Sequence, residues 1–333
     1  TALTQEPSDA LLEWNGGNVR PIRPSKEGRK LDPRAALQSI AGAIERGERS
    51  VALPVEVARP KIDSTRIAEM GLRELLDSST TAFAGAVPQK QHNVALAASR
   101  LHGQVVAPGE TFSFNKALGP TTIDNGYQVA FAITGGGGQA PKTIPSVAGG
   151  ICQVATTLFQ PVFWTGYQIE QRNWHLYWIP AYTSKGVVGL DATVDEDSNL
   201  DLQFVNNSSS YLLIQSRVEG TNLTFELYGT RPTWNVKVDG PKITDQKPPD
   251  PTPVVEPEPS LPDGQRIAVE SAREGFTASF VRPVTDTAGG VRTLRLESRY
   301  VPSRNVTLLG TGGRQTAPRG GATEQNRPAG AGR

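Results

Sequence analysis

The sequence predicts an α+β chain in which a mixed central domain follows a small α/β unit and precedes an all-β module. Three observations carry that reading. Helical periodicity is confined to a few segments, alternation of apolar and polar residues fills much of the rest, and a proline-rich stretch at 241–262 divides the alternating part in two. A chain of 333 residues has the length for two or three domains. The expected boundaries are 1–59 for the N-terminal unit, 60–235 for the central domain, 236–262 for a linker, 263–311 for the β module and 312–333 for a disordered tail.

The N-terminal unit opens on a polar lead-in. Asp32 then reads as a helix N-cap, with Pro33 in the first helical position, Leu37, Ile40, Ala41 and Ile44 as an apolar stripe, and Gly47 as the stop. Val51, Leu53, Val55 and Val57 alternate behind it as a strand. In the central domain, helices are expected within 62–76 and over 93–101. Residues 105–115 read as two strands about a Pro108-Gly109 turn, with Phe112 and Phe114 on one face, and 127–133 as another strand. Residues 211–218 and 223–228 read as a hairpin. Beyond the proline-rich stretch, 267–309 alternates with spaced glycines as a compact β module.

Most of the chemistry falls within 146–194, which holds the only cysteine, Cys152, and His175, one of three histidines. Gly149 and Gly150 lead into Ile151, Ala155, Leu158 and Val162 at helical spacing, which places Cys152 in a first helical turn. Unpaired N–H groups and the helix dipole favour a thiolate there. Pro161 is expected to kink this helix or end it early. Residues 174–179 alternate as a strand, with His175, Tyr177 and Ile179 on one face and Trp174, Leu176 and Trp178 on the other, and Asp191 begins a short strand. This order suits a Cys-His-Asp triad. It equally suits a packed thiol and a core histidine, and the residues leave both open.

Composition excludes more than it assigns. Lys+Arg 34 against Asp+Glu 33 gives a net charge of +1, which offers no general field for nucleic acid. No apolar run approaches the roughly 20 residues of a transmembrane helix, and the chain starts without Met, so it is expected to be a trimmed ectodomain. A single cysteine forms no internal disulfide. The glycine run at 135–138 lacks the Lys-Ser/Thr of a phosphate loop and is expected to be a flexible flap. Nothing in the sequence calls for a metal or a cofactor.

The segments PGETFSFN, LGPTTIDNGY, GGICQVATTLF, EQRNWH, DATV and DLQF, in that order, resemble the VanW family over roughly residues 60–234. Residues 32–57 resemble the end of a module assigned to peptidoglycan binding, and the spaced glycines with LLGTG resemble five-glycine β modules associated with N-acetylglucosamine polymers. Departures from the family pattern are Ala148 for a glycine, Ala155 for a serine, Gln160-Pro161 within the helix, and Trp174 and Leu176 around the histidine. The resemblance implies an exported protein of the bacterial cell envelope, working on peptidoglycan. Two readings compete. In the favoured one the chain is a non-catalytic binder whose Trp174, Tyr177, Trp178 and Tyr182 stack on sugar rings. In the other it is a cysteine-dependent amidase, peptidase or transpeptidase. Cys152 then attacks an amide, His175 serves as base and then acid, Asp191 orients the ring, and Gln153 or the Cys152 N–H stabilises the oxyanion. A structural or adhesion role is a third reading.

Overall fold

The computed structural model describes residues 4–136 and 139–313, with the side chains of 134–141 outside the described set. The expected flap and the expected disordered tail lie largely outside the described residues. Among them, four α-helices and twenty strands make a mixed α+β chain. The chain divides into two units, one of residues 1–247 and 274–301, the other of 248–273 and 302–333.

The first unit begins with the hairpin β1 (Leu11–Asn15) and β2 (Asn18–Arg23). Strands β3 (Gly28–Leu31) and β4 (Val55–Ala58) pair around helix α1 (Pro33–Glu45), whose N-cap is Asp32 as expected. The apolar stripe does not face inward. Leu37, Ile40 and Ile44 are 68%, 38% and 71% exposed, while the small Ala36 and Ala43 are buried.

Of the short helix expected within 62–76 only a 3₁₀ turn at Ile67–Glu69 forms, and strand β5 (Glu74–Ala82) begins before that span ends. Gly71, at φ +68°, breaks the chain between the two. Helix α2 (Pro88–Leu101) follows, with Val94, Ala97, Ala98 and Leu101 buried along one face. Then come β6 (Gln104–Val106), β7 (Thr111–Ser113), the short helix α3 (Phe114–Leu118), β8 (Val129–Gly136) and β9 (Gln139–Val147). Helix α4 (Ile151–Trp164) leads to β10 (Gln168–Gln171), β11 (Gln203–Val205) and the expected hairpin of β12 (Leu212–Glu219) and β13 (Asn222–Gly229). A four-stranded antiparallel sheet runs β5-β13-β12-β6, with α4 packed on β5 and β13 and α2 on β12. Strands β10, β11 and β7 form a smaller sheet, and β8 pairs with β9.

The proline-rich stretch is not a tether throughout. After β14 (Asn235–Val236), residues Asp239–Lys247 form β15 in the first unit, and Val254–Glu258 form β16 in the second. Strand β17 (Arg266–Glu270) and β20 (Val306–Gly310) complete the second unit in the order β16-β20-β17. Between them in sequence, β18 (Gly275–Thr285) and β19 (Val291–Tyr300) form a long hairpin that belongs to the first unit, with β14 and β15 along the free side of β18. Prolines are tolerated because β15 and β16 are edge strands, and the register of β15 shifts between Asp239 and Lys242 at Pro241.

Helix α4 is the centre of the core. It is buried on nearly every side, and Pro161 neither kinks it short nor ends it. A proline in mid-helix orphans the carbonyl four residues earlier, which here is Thr157. Ser79 Oγ, on β5, donates to that carbonyl at 2.5 Å. Ser79→Ala is therefore expected to destabilise the protein by about 1–3 kcal/mol, the cost of a buried unpaired acceptor. In a Pro161→Ala background, where an N–H is restored, the loss should shrink. Urea denaturation of the four proteins of this cycle measures the difference.

Candidate active site

The turn before α4 sets the position of Cys152. Gly150 caps the helix at φ +114°, and a Cβ on Gly149 would lie 2.5 Å from the Phe131 carbonyl oxygen, so the backbone packs directly on β8. The fully buried Asn93, on α2, fixes the turn. Its Nδ2 donates to the carbonyls of Gln128 (2.8 Å) and Gly149 (3.1 Å), and its Oδ1 accepts from Gln128 N–H at 2.8 Å. Ala148 sits at φ +62°, a left-handed conformation that explains the glycine of the family pattern at this position.

Two polar stripes then run down the otherwise apolar helix at intervals of four residues. Cys152, Thr156 and Gln160 face the loop 172–194. Cys152 Sγ lies 3.4 Å from Thr193 Oγ1 and 3.5 Å from Val194 O, Thr156 Oγ1 bonds both N–H and C=O of Ala192, and Gln160 Nε2 donates to Tyr182 O. Gln153 and Thr157 face β5. Thr157 Oγ1 pairs with Thr81 Oγ1, while Gln153 Nε2 donates to Thr81 Oγ1 and Ala82 O.

The expected strand at 174–179 does not form. An isolated bridge between Asn173 and Thr193 precedes it, to which the expected DATV strand also reduces, and within it Leu176 O accepts from Val301 N–H at 2.9 Å. The physical reason is at Asp191. His175 gives its backbone N–H to Asp191 Oδ2 at 2.7 Å instead of to a neighbouring strand, and its Nδ1 lies 2.6 Å from the same oxygen. The other carboxylate oxygen, Oδ1, accepts from Arg172 Nη2 at 3.1 Å and from Tyr300 Oη at 2.5 Å. Arg172, itself buried, also donates to the carbonyls of Asp191 and Gly189 and to Ser298 Oγ.

These contacts decide the charges. Burial pushes the Asp191 carboxyl up, but the His175 hydrogen bond, the Arg172 charge and Tyr300 hold it well below the usual carboxylate range. Burial alone would depress His175. Hydrogen bonding to Asp191 and to the Cys152 thiol instead raises it to about 9. Burial raises the Cys152 thiol, yet the His175 hydrogen bond and charge, with the Thr193 hydroxyl, pull it below its ordinary value. Burial and the Asp191 charge keep the Tyr300 phenol far above its ordinary value, so it acts as a neutral donor. With Nδ1 taken by Asp191, Nε2 is the ring nitrogen left for other partners. Cys152 itself is only partly covered, while His175 is buried.

Of the residues singled out from sequence, Cys152, His175 and Asp191 come together. Gln153 is close in sequence but turned away, with its amide donors spent on β5. The four aromatics do not line one face. Tyr182 is buried with its ring edge-on to His175 (centroids 5.2 Å apart), Trp178 packs against Phe276, and Trp174 is 36% exposed with its indole N–H on Arg299 O. Tyr177 is partly buried beside them. Sequence reasoning missed Asn93, Arg172, Thr193, Ser298 and Tyr300. The four-residue spacing of Cys152, Thr156 and Gln160 was a readable signal for the loop that α4 grips. Nothing local marked Tyr300.

The site is thus a thiol, an imidazole and a carboxylate in series at the start of a buried helix. The model of the VanW like protein family matches residues 89–228, a span that contains all three. The chain is 32% identical over 227 residues to the uncharacterized protein YoaR of Bacillus subtilis, covering 68% of this chain and 70% of that one. It is 32% identical over 120 residues to the vancomycin B-type resistance protein VanW of Enterococcus faecalis, covering 36% of this chain and 42% of that protein. The chain belongs to the VanW-like family. Among solved structures, the crystal structure of HP0197-G5 aligns over 23% of this chain and 97% of its own, at 18% identity and a TM-score of 0.11.

Two substitutions test the construction of the site. Ala148→Gly should relieve the left-handed strain and stabilise the protein by about 1 kcal/mol, read as a rise in Tm. Arg172→Met should destabilise it by about 3–5 kcal/mol, because it takes from the buried Asp191 carboxylate one of its two cationic partners. Denaturant titration checks the second.

Proposed function

We propose that the chain is a thiol-dependent acyl-transfer enzyme of the bacterial cell envelope, acting on amide bonds of wall peptides. The observation that carries this reading is the 2.6 Å contact of His175 Nδ1 with Asp191 Oδ2, beside a Cys152 thiol in the first turn of α4 that His175 pulls below its ordinary value. Membership of a family whose named relative is a vancomycin resistance protein supports the wall as the place of action.

In this mechanism the Cys152 thiolate attacks the amide carbonyl carbon, and a C–S bond forms as the carbonyl π pair moves to oxygen. The helix-start N–H of Cys152 would receive that oxyanion. On collapse the C–N bond breaks, and the His175 imidazolium gives its Nε2 proton to the departing amine. His175 then takes a proton from water, or from an acceptor amine, as that nucleophile bonds to the thioester carbon; the C–S bond breaks and the thiolate is restored. Asp191 fixes the ring orientation and tautomer. The flanking residues 1–59 and the second unit would hold the enzyme on its polymer. The rival sugar-binding reading keeps Trp174 as its exposed ring.

Iodoacetamide labelling separates the readings. A thiolate held by His175 should be alkylated rapidly at pH 6.5, about two units below the ordinary thiol value. Turnover should fall as pH rises through about 9, where His175 loses the proton it must donate. His175→Ala should slow labelling at pH 6.5, and Tyr300→Phe should slow it less. Slow labelling of the folded protein at every pH from 6 to 9 would retire the enzyme reading in favour of the binder.

A further inference from the structure

One cation at the start of α4 has no carboxylate of its own among the described residues. Lys90 lies in the first turn of α2, partly buried, with its stem against the start of α4: a Cβ on Gly150 would meet Lys90 Cγ at 3.0 Å. Its Nζ sits 5.8 Å from the centroid of the Tyr182 ring, the same ring whose edge packs on His175. Lys90 is therefore joined to the catalytic imidazole through one aromatic side chain.

The other cations nearby are accounted for. The buried Arg172 is held by Asp191 and the exposed Lys185 by Asp77. Among the described residues, no carboxylate pairs with Lys90, and the hairpin segment 134–141, whose side chains are not described, contains no Asp or Glu. Burial depresses the Lys90 ammonium, and the charge on Cys152 works the other way, so the two groups sense one another. Once the thiolate becomes a thioester, that compensating charge is gone. A half-buried ammonium beside a covalent intermediate is costly unless the bound substrate supplies an anion.

We propose that Lys90 is a specificity residue whose ammonium receives a free carboxylate carried by the substrate next to the amide that Cys152 attacks. The proposal rests on the thiol reading and narrows it, from amides in general to peptides bearing an acid beside the scissile bond. A carboxylate fits better than a phosphate. A single ammonium backed by one aromatic ring balances a monoanion, whereas a phosphate dianion calls for several convergent donors.

Two alkylating agents of nearly equal size test this, because iodoacetate carries the carboxylate and iodoacetamide its neutral amide. Each forms an S–C bond to Cys152 and expels iodide. Dividing one rate by the other cancels any change in the reactivity of the thiol itself. Lys90→Gln is expected to lower the iodoacetate-to-iodoacetamide ratio about tenfold, the size of one lost charge-assisted contact, and Lys90→Arg to retain most of it. An unchanged ratio in Lys90→Gln overturns the assignment while leaving the nucleophile in place. Failure of both reagents to label would instead count against the nucleophile. The Lys90 site is then read in Cys152→Ser protein by NMR titration with N-acetylglycine and N-acetylglycinamide. A preference for the acid that disappears in Lys90→Gln supports it, and equal binding of the two overturns it.

Discussion

The buried carboxylate of Asp191 is the constraint on which the rest of the site depends. An isolated carboxylate in such a place would be protonated or would prevent folding, since its desolvation costs several kcal/mol. Here each oxygen accepts two hydrogen bonds, from the backbone and ring of His175 on one side and from Arg172 and Tyr300 on the other. Satisfying that one charge aligns the imidazole and brings a residue from the end of β19 beside the loop after β10. Those demands also account for the irregular backbone at 174–179. A strand ladder would have used the His175 N–H that the carboxylate needs.

Helix α4 solves a second problem of the same kind. It crosses the core almost wholly buried, yet carries Cys152, Gln153, Thr156, Thr157, Gln160 and Pro161. The polar side chains fall into two stripes: one grips the loop that holds Asp191, the other ties α4 to β5, and Ser79 covers the carbonyl that Pro161 leaves unpaired. The thiol consequently stands at the end of a rod clamped on two sides. Packing and hydrogen bonds, rather than flexible loops, hold the helix start that carries Cys152.

The long hairpin of β18 and β19 ties the C-terminal sequence to this centre. A Cβ on Gly189 would collide with Ala278 at 2.6 Å, so the loop before Asp191 lies directly on β18. Ser298 bridges Arg172 and the Gly189 carbonyl from β19. The family match ends at residue 228, well before these residues, so in this chain the carboxylate is completed from outside the matched span.

Much of the fold and part of the site were legible in the sequence. Asp32 and Pro33 announced α1, the paired alternation at 211–228 announced the β12–β13 hairpin, and Gly149-Gly150 placed Cys152 in a first helical turn, because caps, turns and periodicity are local properties of the chain. The order Cys152, His175, Asp191 was visible as well. Their contact was not, since it depends on a carboxylate that draws its partners from three segments. The helix stripe of Leu37, Ile40 and Ile44 failed because periodicity reports which residues share a face, not which face the remaining structure covers, and the strand read at 174–179 failed because Asp191, distant in sequence, takes the His175 N–H. Pro161 pointed to a broken helix because the compensating donor, Ser79, lies on another strand. Sequence alone therefore determined the local elements and the family to which the motifs belong. Only the tertiary structure decided that the hairpin at 275–300 joins the first unit and that Tyr300 completes Asp191, because buried charge is satisfied through space, without regard to separation along the chain.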